Sequence, residues 1–248
     1  MVALAMSVLT MPLVLLGMLL IVVEDGWPAI YVARRVGQGG RAFRMYKLRS
    51  MIRDADRTGV DSTAANDPRL LRSGRWLRRL KIDELPRFWN VLRGEMSLVG
   101  PRPNVEREVA LYTVEERGLL TVRPGITDLA SIVFADYELV LRDRPDPDLA
   151  YNQLIRPWKS RLGLLYVQSP FALGRELHVI WLTLLTVVSR PVALRQTARL
   201  VGGLGGDAAL VRVAGRQLIL EPTPPPGAAE VVKDRSHPPT ASSTRVLT

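Results

Sequence analysis

Residues 2–23 read VALAMSVLTMPLVLLGMLLIVV, a run of 22 residues without a single charge. At a rise of 1.5 Å per residue, a helix of this length spans about 33 Å, which matches the hydrocarbon thickness of a bilayer. A core helix of a soluble domain would show a polar face, and this run has only Ser7 and Thr10 to offer. It also lacks the basic segment that opens a secretory signal peptide. The sequence therefore predicts a membrane helix in residues 1–23.

Pro12 lies near the middle of this helix, where it removes one backbone hydrogen bond and predicts a kink. Two shapes follow: a kinked helix that crosses the membrane, or a re-entrant helix that leaves by the face it entered. Residues 31–53 carry seven basic residues and no acidic one. The positive-inside rule places that side in the cytoplasm. Both shapes leave the rest of the chain on the cytoplasmic face, and the pattern leaves the choice between them open.

The next part of the chain, residues 24–200, predicts a mixed α/β domain. Residues 29–36 and 43–51 alternate as the strands of a hairpin around a Gly-rich turn. Residues 70–80 interleave leucines and a tryptophan with arginines. This pattern is typical of a basic amphipathic helix in a membrane interface, with an ordinary surface helix as the alternative. Helices are predicted in residues 83–92, 104–120, 151–166 and 175–188, and extended segments in residues 97–99 and 122–127.

Residues 201–248 are rich in Gly, Pro, Ala and Ser, a composition that predicts a disordered tail.

Composition limits the chemistry. The chain has no cysteine, which excludes disulfides and cysteine-based zinc sites, and only two histidines, His178 and His237. Any catalysis must therefore use carboxylates, lysines, arginines and a hard cation such as Mg²⁺. The net charge of +10 favours an anionic partner, which could be nucleic acid, lipid head groups or phosphorylated substrates.

Two adjacent acids, Asp83 and Glu84, stand in an otherwise basic segment, since residues 69–102 hold nine Lys or Arg and three acids. In phosphoryl chemistry, one carboxylate can attack phosphorus or hold Mg²⁺ while cations neutralise phosphate oxygens. The structural alternative is helix capping with salt bridges to neighbouring basic residues. Taken alone, an acidic pair of this kind is more often structural.

Four basic residues are candidates for binding phosphate. Lys47 and Arg49 are two apart on a predicted strand, so they should point to the same face. Arg102 stands between two prolines, which restricts its backbone and suits a fixed anion contact. Arg123 precedes a Pro-Gly pair. Charge alone does not show that these residues converge on one site.

Longer motifs add a resemblance. The strings DELP (83–86) and NVLRGEMSLVGPRP (90–103) resemble the signature of the bacterial sugar transferases, also called monotopic phosphoglycosyl transferases. Shorter motifs agree in order and spacing; they are RVG (35–37), YKLRSM (46–51), DPR (67–69) and RPGIT (123–127). The likeness covers roughly residues 5–190. It favours the functional interpretation of the acidic pair over the structural one.

The resemblance implies a fold and a reaction. The fold would be α/β, with an N-terminal re-entrant membrane helix bent at Pro12, amphipathic interfacial helices and a small cytoplasmic globular domain. The activity would move a sugar-1-phosphate from a UDP-sugar to undecaprenyl (polyprenyl) phosphate with release of UMP, as the first membrane step of exopolysaccharide or glycoconjugate synthesis. The setting would be the cytoplasmic face of the bacterial inner membrane.

The resemblance also implies roles for single residues. Asp83 would be the nucleophile, and Glu84, with Asp83, would help to hold Mg²⁺. Substrate phosphates would be bound by the four basic residues Lys47, Arg49, Arg102 and Arg123. Two positions depart from the common family pattern: Met11 precedes the bend proline where many members have Ser, and Asp128 follows Thr127 where many have Gly.

Two other functions stay open at this point. A membrane-anchored basic protein that binds anionic polysaccharide would explain the charge but not the ordered motifs. A transferase that passes a bare sugar would release UDP and need no nucleophilic carboxylate. Nucleic acid is not expected as a partner, because the scattered aromatic residues form no stacking platform. The sugar, the polymer and the presence of a homodimer are not decided by the sequence.

Overall fold

The computed structural model describes residues 2–55 and 67–234 of the chain. Helices predominate in this part, and two small two-stranded sheets make the fold a mixed α/β one, as the sequence predicted. The α-helices are α1 (Val2–Asp25), α2 (Arg72–Arg79), α3 (Phe88–Leu92), α4 (Glu106–Ala110), α5 (Leu129–Val133), α6 (Tyr137–Val140), α7 (Pro147–Leu154), α8 (Arg156–Gln168), α9 (Leu173–Val188), α10 (Arg190–Gly203) and α11 (Ala208–Ala214). The strands are β1 (Ile30–Val36), β2 (Ala42–Leu48), β3 (Ser97–Val99) and β4 (Gly125–Thr127), and 3₁₀ helices span Gln38–Gly40, Ile82–Arg87 and Glu116–Thr121.

The first helix, α1, is a single helix with Pro12 inside it. Over Ala3–Asp25 it is long and apolar enough to cross a membrane, and only 11% of its most apolar window is buried. Leu9 and Leu19, for example, are 72% and 59% exposed. A helix of a soluble core would bury most of such a surface. The predicted apolar helix is therefore present, whereas the bend at Pro12 stays a prediction.

The C-terminal part of α1 packs against the rest of the protein. Ile21 is fully buried in an apolar cluster with Leu48 of β2 and Leu77 of α2. Gly17 permits this close approach, because a Cβ atom there would lie 2.6 Å from Leu48 Cδ1. The end of α1 and the elements β2 and α2 thus share one apolar cluster.

A polar contact fixes the same end of α1. The Glu24 carboxylate accepts hydrogen bonds from the backbone N–H groups of Arg72 and Ser73, at 2.7 and 2.8 Å. These are N–H groups of the first turn of α2, which have no partner within the helix. A carboxylate at this position also interacts favourably with the helix dipole. Glu24 therefore sets where α2 begins relative to the end of α1.

Arg49 belongs to this junction as well. Its guanidinium pairs with the Asp25 carboxylate and donates to backbone carbonyls in the 25–28 turn. Its side chain is 6% exposed. Arg49 directly follows β2, which ends at Leu48, and its backbone N–H donates to the Ala29 carbonyl at 2.8 Å. The shared strand face with Lys47 stays a prediction, and the Arg49 guanidinium itself is engaged at the end of α1.

The two sheets lie on either side of the 3₁₀ helix Ile82–Arg87 in the sequence. β1 and β2 form the predicted antiparallel hairpin, with Ile30 opposite Leu48 and Val36 opposite Ala42. β3 and β4 pair in parallel, with Ser97 opposite Gly125. Because the pairing is parallel, the residues that precede β3 lie beside those that precede β4, and Ser97 N–H donates to the Pro124 carbonyl at 2.8 Å.

The main core is helical and includes the segment predicted to be disordered. Val201 of α10 and Val213 of α11 are buried in it, and Asp207 caps α11 through Leu210 N–H at 2.7 Å. Farther along, Val232 is 3% exposed. The prediction of disorder in residues 201–248 is therefore wrong for residues 201–234, because sparse apolar residues among the glycines and prolines supply enough buried surface. Residues 235–248, with His237, lie outside the described residues.

The single helix predicted for residues 104–120 is also wrong. α4 ends at Ala110, and a separate 3₁₀ helix starts at Glu116. Thr113 and Glu116 form a capping box: Thr113 Oγ1 accepts from Glu116 N–H at 3.0 Å, and the Glu116 carboxylate accepts from Thr113 N–H at 3.1 Å. This reciprocal cap restarts the helix and breaks the predicted one.

A substitution at Gly74 would test how α2 is seated. A Cβ atom at Gly74 would lie 2.1 Å from the backbone oxygen of Ser50, a rigid neighbour. We expect Gly74→Ala to lower the free energy of unfolding by about 1–3 kcal/mol, as overpacking does elsewhere. Chemical denaturation measures this, with Gly174→Ala as control, since that Cβ atom would meet no atom within 4 Å. Equal stability of both variants would contradict the close contact.

Candidate active site

The acidic pair lies in the 3₁₀ helix Ile82–Arg87 and not at the start of the predicted α-helix. Lys81, in the left-handed conformation with φ of 59°, separates α2 from this 3₁₀ helix. Successive residues of a 3₁₀ helix point about 120° apart, and residues three apart lie above one another. Asp83 and Glu84 therefore point in different directions, and Arg87 falls on the same side as Glu84. The local geometry gives the two acids different surroundings.

Glu84 is held between two arginines. Its Oε2 accepts from Arg87 NH1 at 2.9 Å and from Arg102 NH1 at 3.1 Å, and its Oε1 accepts from Arg102 NH2 at 2.6 Å. Burial by itself would raise the pKa of Glu84, but Arg102, Arg87 and Lys81 outweigh it and hold that pKa far below its ordinary value. Glu84 is therefore a fixed negative charge.

Asp83 has a different environment. The residue is 7% exposed, and its Oδ1 atom has no hydrogen-bond partner in the described part of the chain. Burial and the neighbouring Glu84 charge raise the pKa of Asp83, against the opposing effect of Arg87, Lys47 and Arg78. A buried carboxylate oxygen without a donor is destabilised as an anion. Such an oxygen is available to attack an electrophile.

Cations surround this open oxygen. Lys47 of β2 lies over the Tyr31 ring at 5.1 Å, and burial lowers its pKa to about 8, although Asp83 acts to raise it. Burial likewise lowers the pKa of Arg87 to about 10, and the Nε atom of Arg87 has no partner among the described residues. Of these, Lys47 was expected from the sequence. Arg87 was not, although its spacing of three from Glu84 was a usable signal.

Arg78 was not expected at the site either. It lies in the last turn of α2, and its charge acts on both Lys47 and Asp83. Only the packing of α2 beside the 3₁₀ helix brings it there. The amphipathic pattern of residues 70–80 favoured a helix in a membrane interface and gave no signal that one of its arginines lies near the acids.

The remaining predicted residues are placed differently. Arg102 follows β3 and reaches Glu84, as described. Arg123 precedes β4 and is exposed, with its NH1 atom 3.9 Å from the position that a Cβ atom of Gly94 would take. No hydrogen bond or ion pair given for the described residues joins Arg123 to either acid. Arg49 is engaged at the end of α1. The structure thus brings Lys47 and Arg102 to the acidic pair, and not Arg49 or Arg123.

A metal ion fits these residues only in part. No group of three or more Asp, Glu, His or Cys side chains suited to a metal occurs in residues 2–55 and 67–234. Both oxygens of Glu84 accept hydrogen bonds from arginines, so the open oxygen of the pair is Asp83 Oδ1. Mg²⁺ is commonly bound by one or two carboxylates together with water and substrate phosphates. The site matches that mode with a single protein ligand and does not form a protein cage.

The arrangement suits attack on a phosphate ester. Asp83 Oδ1, which has no hydrogen-bond partner among the described residues, lies among cations that would attract a diphosphate and stabilise charge that develops on its oxygens. Glu84 meanwhile fixes Arg87 and Arg102 in place. The two acids were expected from the sequence, and the fold gives them unequal surroundings.

Comparisons with known proteins agree with this chemistry. Residues 1–190 match the family model described as bacterial sugar transferase. The chain is 41% identical over 129 residues to an Aeromonas hydrophila protein named UDP-N-acetylgalactosamine-undecaprenyl-phosphate N-acetylgalactosaminephosphotransferase, a match covering 49% of this chain and 30% of that protein. It is 42% identical over 164 residues to the undecaprenyl-phosphate glucose phosphotransferase of Komagataeibacter xylinus, covering 62% and 30%.

A third relative is nearer in length. The UDP-glucose:undecaprenyl-phosphate glucose-1-phosphate transferase of Caulobacter vibrioides is 38% identical over 162 residues, which is 62% of this chain and 61% of that protein. The chain thus spans less than two thirds of the length of each of these relatives. The family match covers more than half of the chain and includes every residue of the site. The chain belongs to the bacterial sugar transferase family.

Proposed function

We propose that this protein transfers a sugar-1-phosphate from a UDP-sugar to undecaprenyl phosphate, with release of UMP. The observation that carries the proposal is the open Oδ1 atom of Asp83, buried among Lys47, Arg78 and Arg87. The relatives' names support it, since they contain undecaprenyl phosphate as acceptor and a sugar phosphate as the group transferred. The proposed place of the reaction is an early membrane step of exopolysaccharide synthesis.

The reaction divides into two displacements at one phosphorus atom. The Asp83 carboxylate attacks the phosphate next to the sugar, the bond from that phosphorus to the bridging oxygen breaks, and UMP leaves. The sugar phosphate is then bound to Asp83 as an acyl phosphate. An oxygen of undecaprenyl phosphate attacks the same phosphorus, the bond to Asp83 breaks, and the carboxylate is restored. The product is a lipid diphosphosugar.

The cations have roles in this scheme. Lys47 and Arg87 are the proposed contacts for oxygens of the reacting phosphate, and the effect of both charges on Asp83 supports this assignment. Arg102 is held by Glu84 at the edge of the same site. Arg123, exposed in the segment before β4, is proposed as a contact for the outer part of the donor. Arg49 is assigned to the α1 junction and to no substrate contact.

Mg²⁺ is proposed as a cofactor that enters with the donor diphosphate. When bound, it would neutralise charge on the diphosphate oxygens. We expect EDTA to lower UMP release at least about 100-fold, because a Lewis acid on phosphate is worth several kcal/mol. Restoration by added Mg²⁺ is the control. Full activity after exhaustive chelation would contradict the cofactor.

A re-entrant α1 in the bacterial inner membrane, with the catalytic domain on the cytoplasmic face, is part of the proposal. The exposed apolar surface of α1 and the basic residues of 31–53 support it. The contact of Gly17 with the globular elements also supports it, because that part of α1 is covered by protein. Trp76 on α2 and Leu80 directly after it are exposed beside exposed arginines, which suits a membrane interface.

The direct test is the nucleotide released. Purified protein in detergent is mixed with Mg²⁺, undecaprenyl phosphate and one UDP-sugar at a time. UMP formed with one of the sugars supports the proposal and names the donor. UDP would show instead a transferase that passes a bare sugar. The absence of both nucleotides, from protein that is folded by circular dichroism, would favour a membrane-anchored polysaccharide-binding protein. Light scattering of the same sample tests for a homodimer.

A further inference from the structure

One acidic residue near the site has no part in the scheme above. Glu138 lies in α6, and its Oε1 atom accepts a hydrogen bond from NH2 of Arg78 in α2. The side chains are 21% exposed for Arg78 and 26% exposed for Glu138. Glu138 also interacts electrostatically with Lys81 and Asp83. The ion pair therefore joins two distant helices at the edge of the acidic pair.

The helix that carries Glu138 is well fixed. Phe134 before it and Leu141 after it are buried to 1% and 0% exposure. Asp136, which precedes α6, accepts a hydrogen bond from Arg190 at 2.6 Å. A one-turn helix pinned at both ends gives the Glu138 carboxylate a defined position. The Arg78 guanidinium, which pairs with this carboxylate, is therefore also held in a defined position.

Arg78 would otherwise have a second carboxylate to bind. Its charge acts on Asp83, whose Oδ1 atom is buried and lacks a donor. In a desolvated site, an arginine and an unpaired carboxylate attract each other strongly. A guanidinium closed on Asp83 would stabilise the anion and occupy the oxygen that attacks phosphorus.

We infer that Glu138 is a positioning residue: by binding the Arg78 guanidinium, it keeps this cation beside the Asp83 carboxylate and leaves Oδ1 free to attack. Arg78 then presents its charge to the phosphate oxygens without binding Asp83 Oδ1 itself. The inference rests on the proposed function, because it concerns the rate of attack by Asp83.

The first test is Glu138→Gln, which keeps the size of the side chain and removes its charge. We expect kcat for UMP release to fall about 10- to 100-fold, which is the effect of a substitution that shifts a catalytic group without touching the reacting atoms. KM for the UDP-sugar should change less than about 3-fold, since contacts made equally to substrate and transition state are kept. Glu138→Asp, which keeps the charge, should recover part of the rate. Glu106→Gln is the matched control, because Glu106 pairs with Arg34 at 3.1 Å on the surface.

A double variant separates positioning from a general structural role. If Glu138 acts only through Arg78, its loss has no further effect once Arg78 is absent. The kcat of Arg78→Gln with Glu138→Gln should therefore equal that of Arg78→Gln alone. Losses that multiply in the double variant would overturn the inference, as would an unchanged kcat in Glu138→Gln. Wild-type protein that releases no UMP would overturn the proposed function itself, a result distinct from wild-type turnover with an unaffected Glu138→Gln.

Discussion

Replacing Asp83 with Asn is expected to reduce UMP release at least about 1,000-fold, the scale seen when a covalent nucleophile is removed. The amide keeps the shape of the side chain, but it lacks the charge and the nucleophilic oxygen. Because Asp83 Oδ1 accepts no hydrogen bond within the described residues, the substitution breaks no such contact of that atom. Loss of activity without loss of folding is therefore the expected result.

Mass spectrometry gives the sharper measurement. With the UDP-sugar and no lipid acceptor, wild-type protein should gain the mass of one sugar phosphate, located on the peptide that contains Asp83. Asp83→Asn and Asp83→Ala should gain nothing. Glu230→Gln, which removes a surface carboxylate paired with Lys233 at 2.8 Å, should behave as wild type. UMP release by Asp83→Asn at a rate near that of wild type would refute the covalent mechanism.

Replacing Arg156 with Leu is expected to lower the free energy of unfolding by about 3–5 kcal/mol, the usual cost of leaving a buried charge without its partner. Arg156 is 1% exposed and Glu116 is fully buried. Arg156 NH2 donates to Glu116 Oε2 at 2.5 Å and to the Leu111 carbonyl at 2.6 Å. Glu116 Oε1 accepts from Arg156 Nε at 3.1 Å and from Ser160 Oγ at 2.6 Å. The variant leaves the carboxylate with the hydroxyl and backbone donors alone.

Chemical denaturation in a fixed detergent measures this change. The control is Arg34→Ala, which breaks the exposed pair of Arg34 with Glu106 and should cost less than about 1 kcal/mol. A Glu116→Gln substitution added to Arg156→Leu should recover part of the lost stability, because it removes the unpaired charge. A loss in Arg156→Leu no larger than that in Arg34→Ala would mean that the buried pair contributes little.

The sequence predicted those features that depend on neighbouring residues. The hairpin of β1 and β2 follows from alternation around a Gly-rich turn, and the acidic pair stands out against a basic background. The motifs then assigned the family, which the family match confirms. The residues that form each of these signals are close together in the sequence, so the sequence pattern alone is enough to predict them.

Features that depend on distant residues were not predictable in the same way. Arg78 and Glu138 are 60 residues apart, and only the packing of α2 near α6 makes them a pair. Arg49 was predicted to follow the strand pattern, but its donors are taken by the end of α1. The region after residue 200 has the composition of a disordered tail, yet Val201 and Val213 fill spaces in a core that other segments create. In each case the deciding partner lies far away along the chain.

The joint between α1 and the catalytic domain has a kinetic consequence. Glu24, Arg49 and Gly17 fix the end of the helix to α2 and β2, so Asp83 has a set height relative to the apolar surface of α1. In the proposed reaction, a catalyst fixed in this way would meet its lipid acceptor by lateral diffusion in two dimensions. For the proposed reaction, the second half-reaction should then follow the mole fraction of undecaprenyl phosphate in the detergent micelle or bilayer. Diluting that surface with inert lipid at constant bulk concentration should slow turnover, while the first half-reaction with the soluble donor should keep its rate.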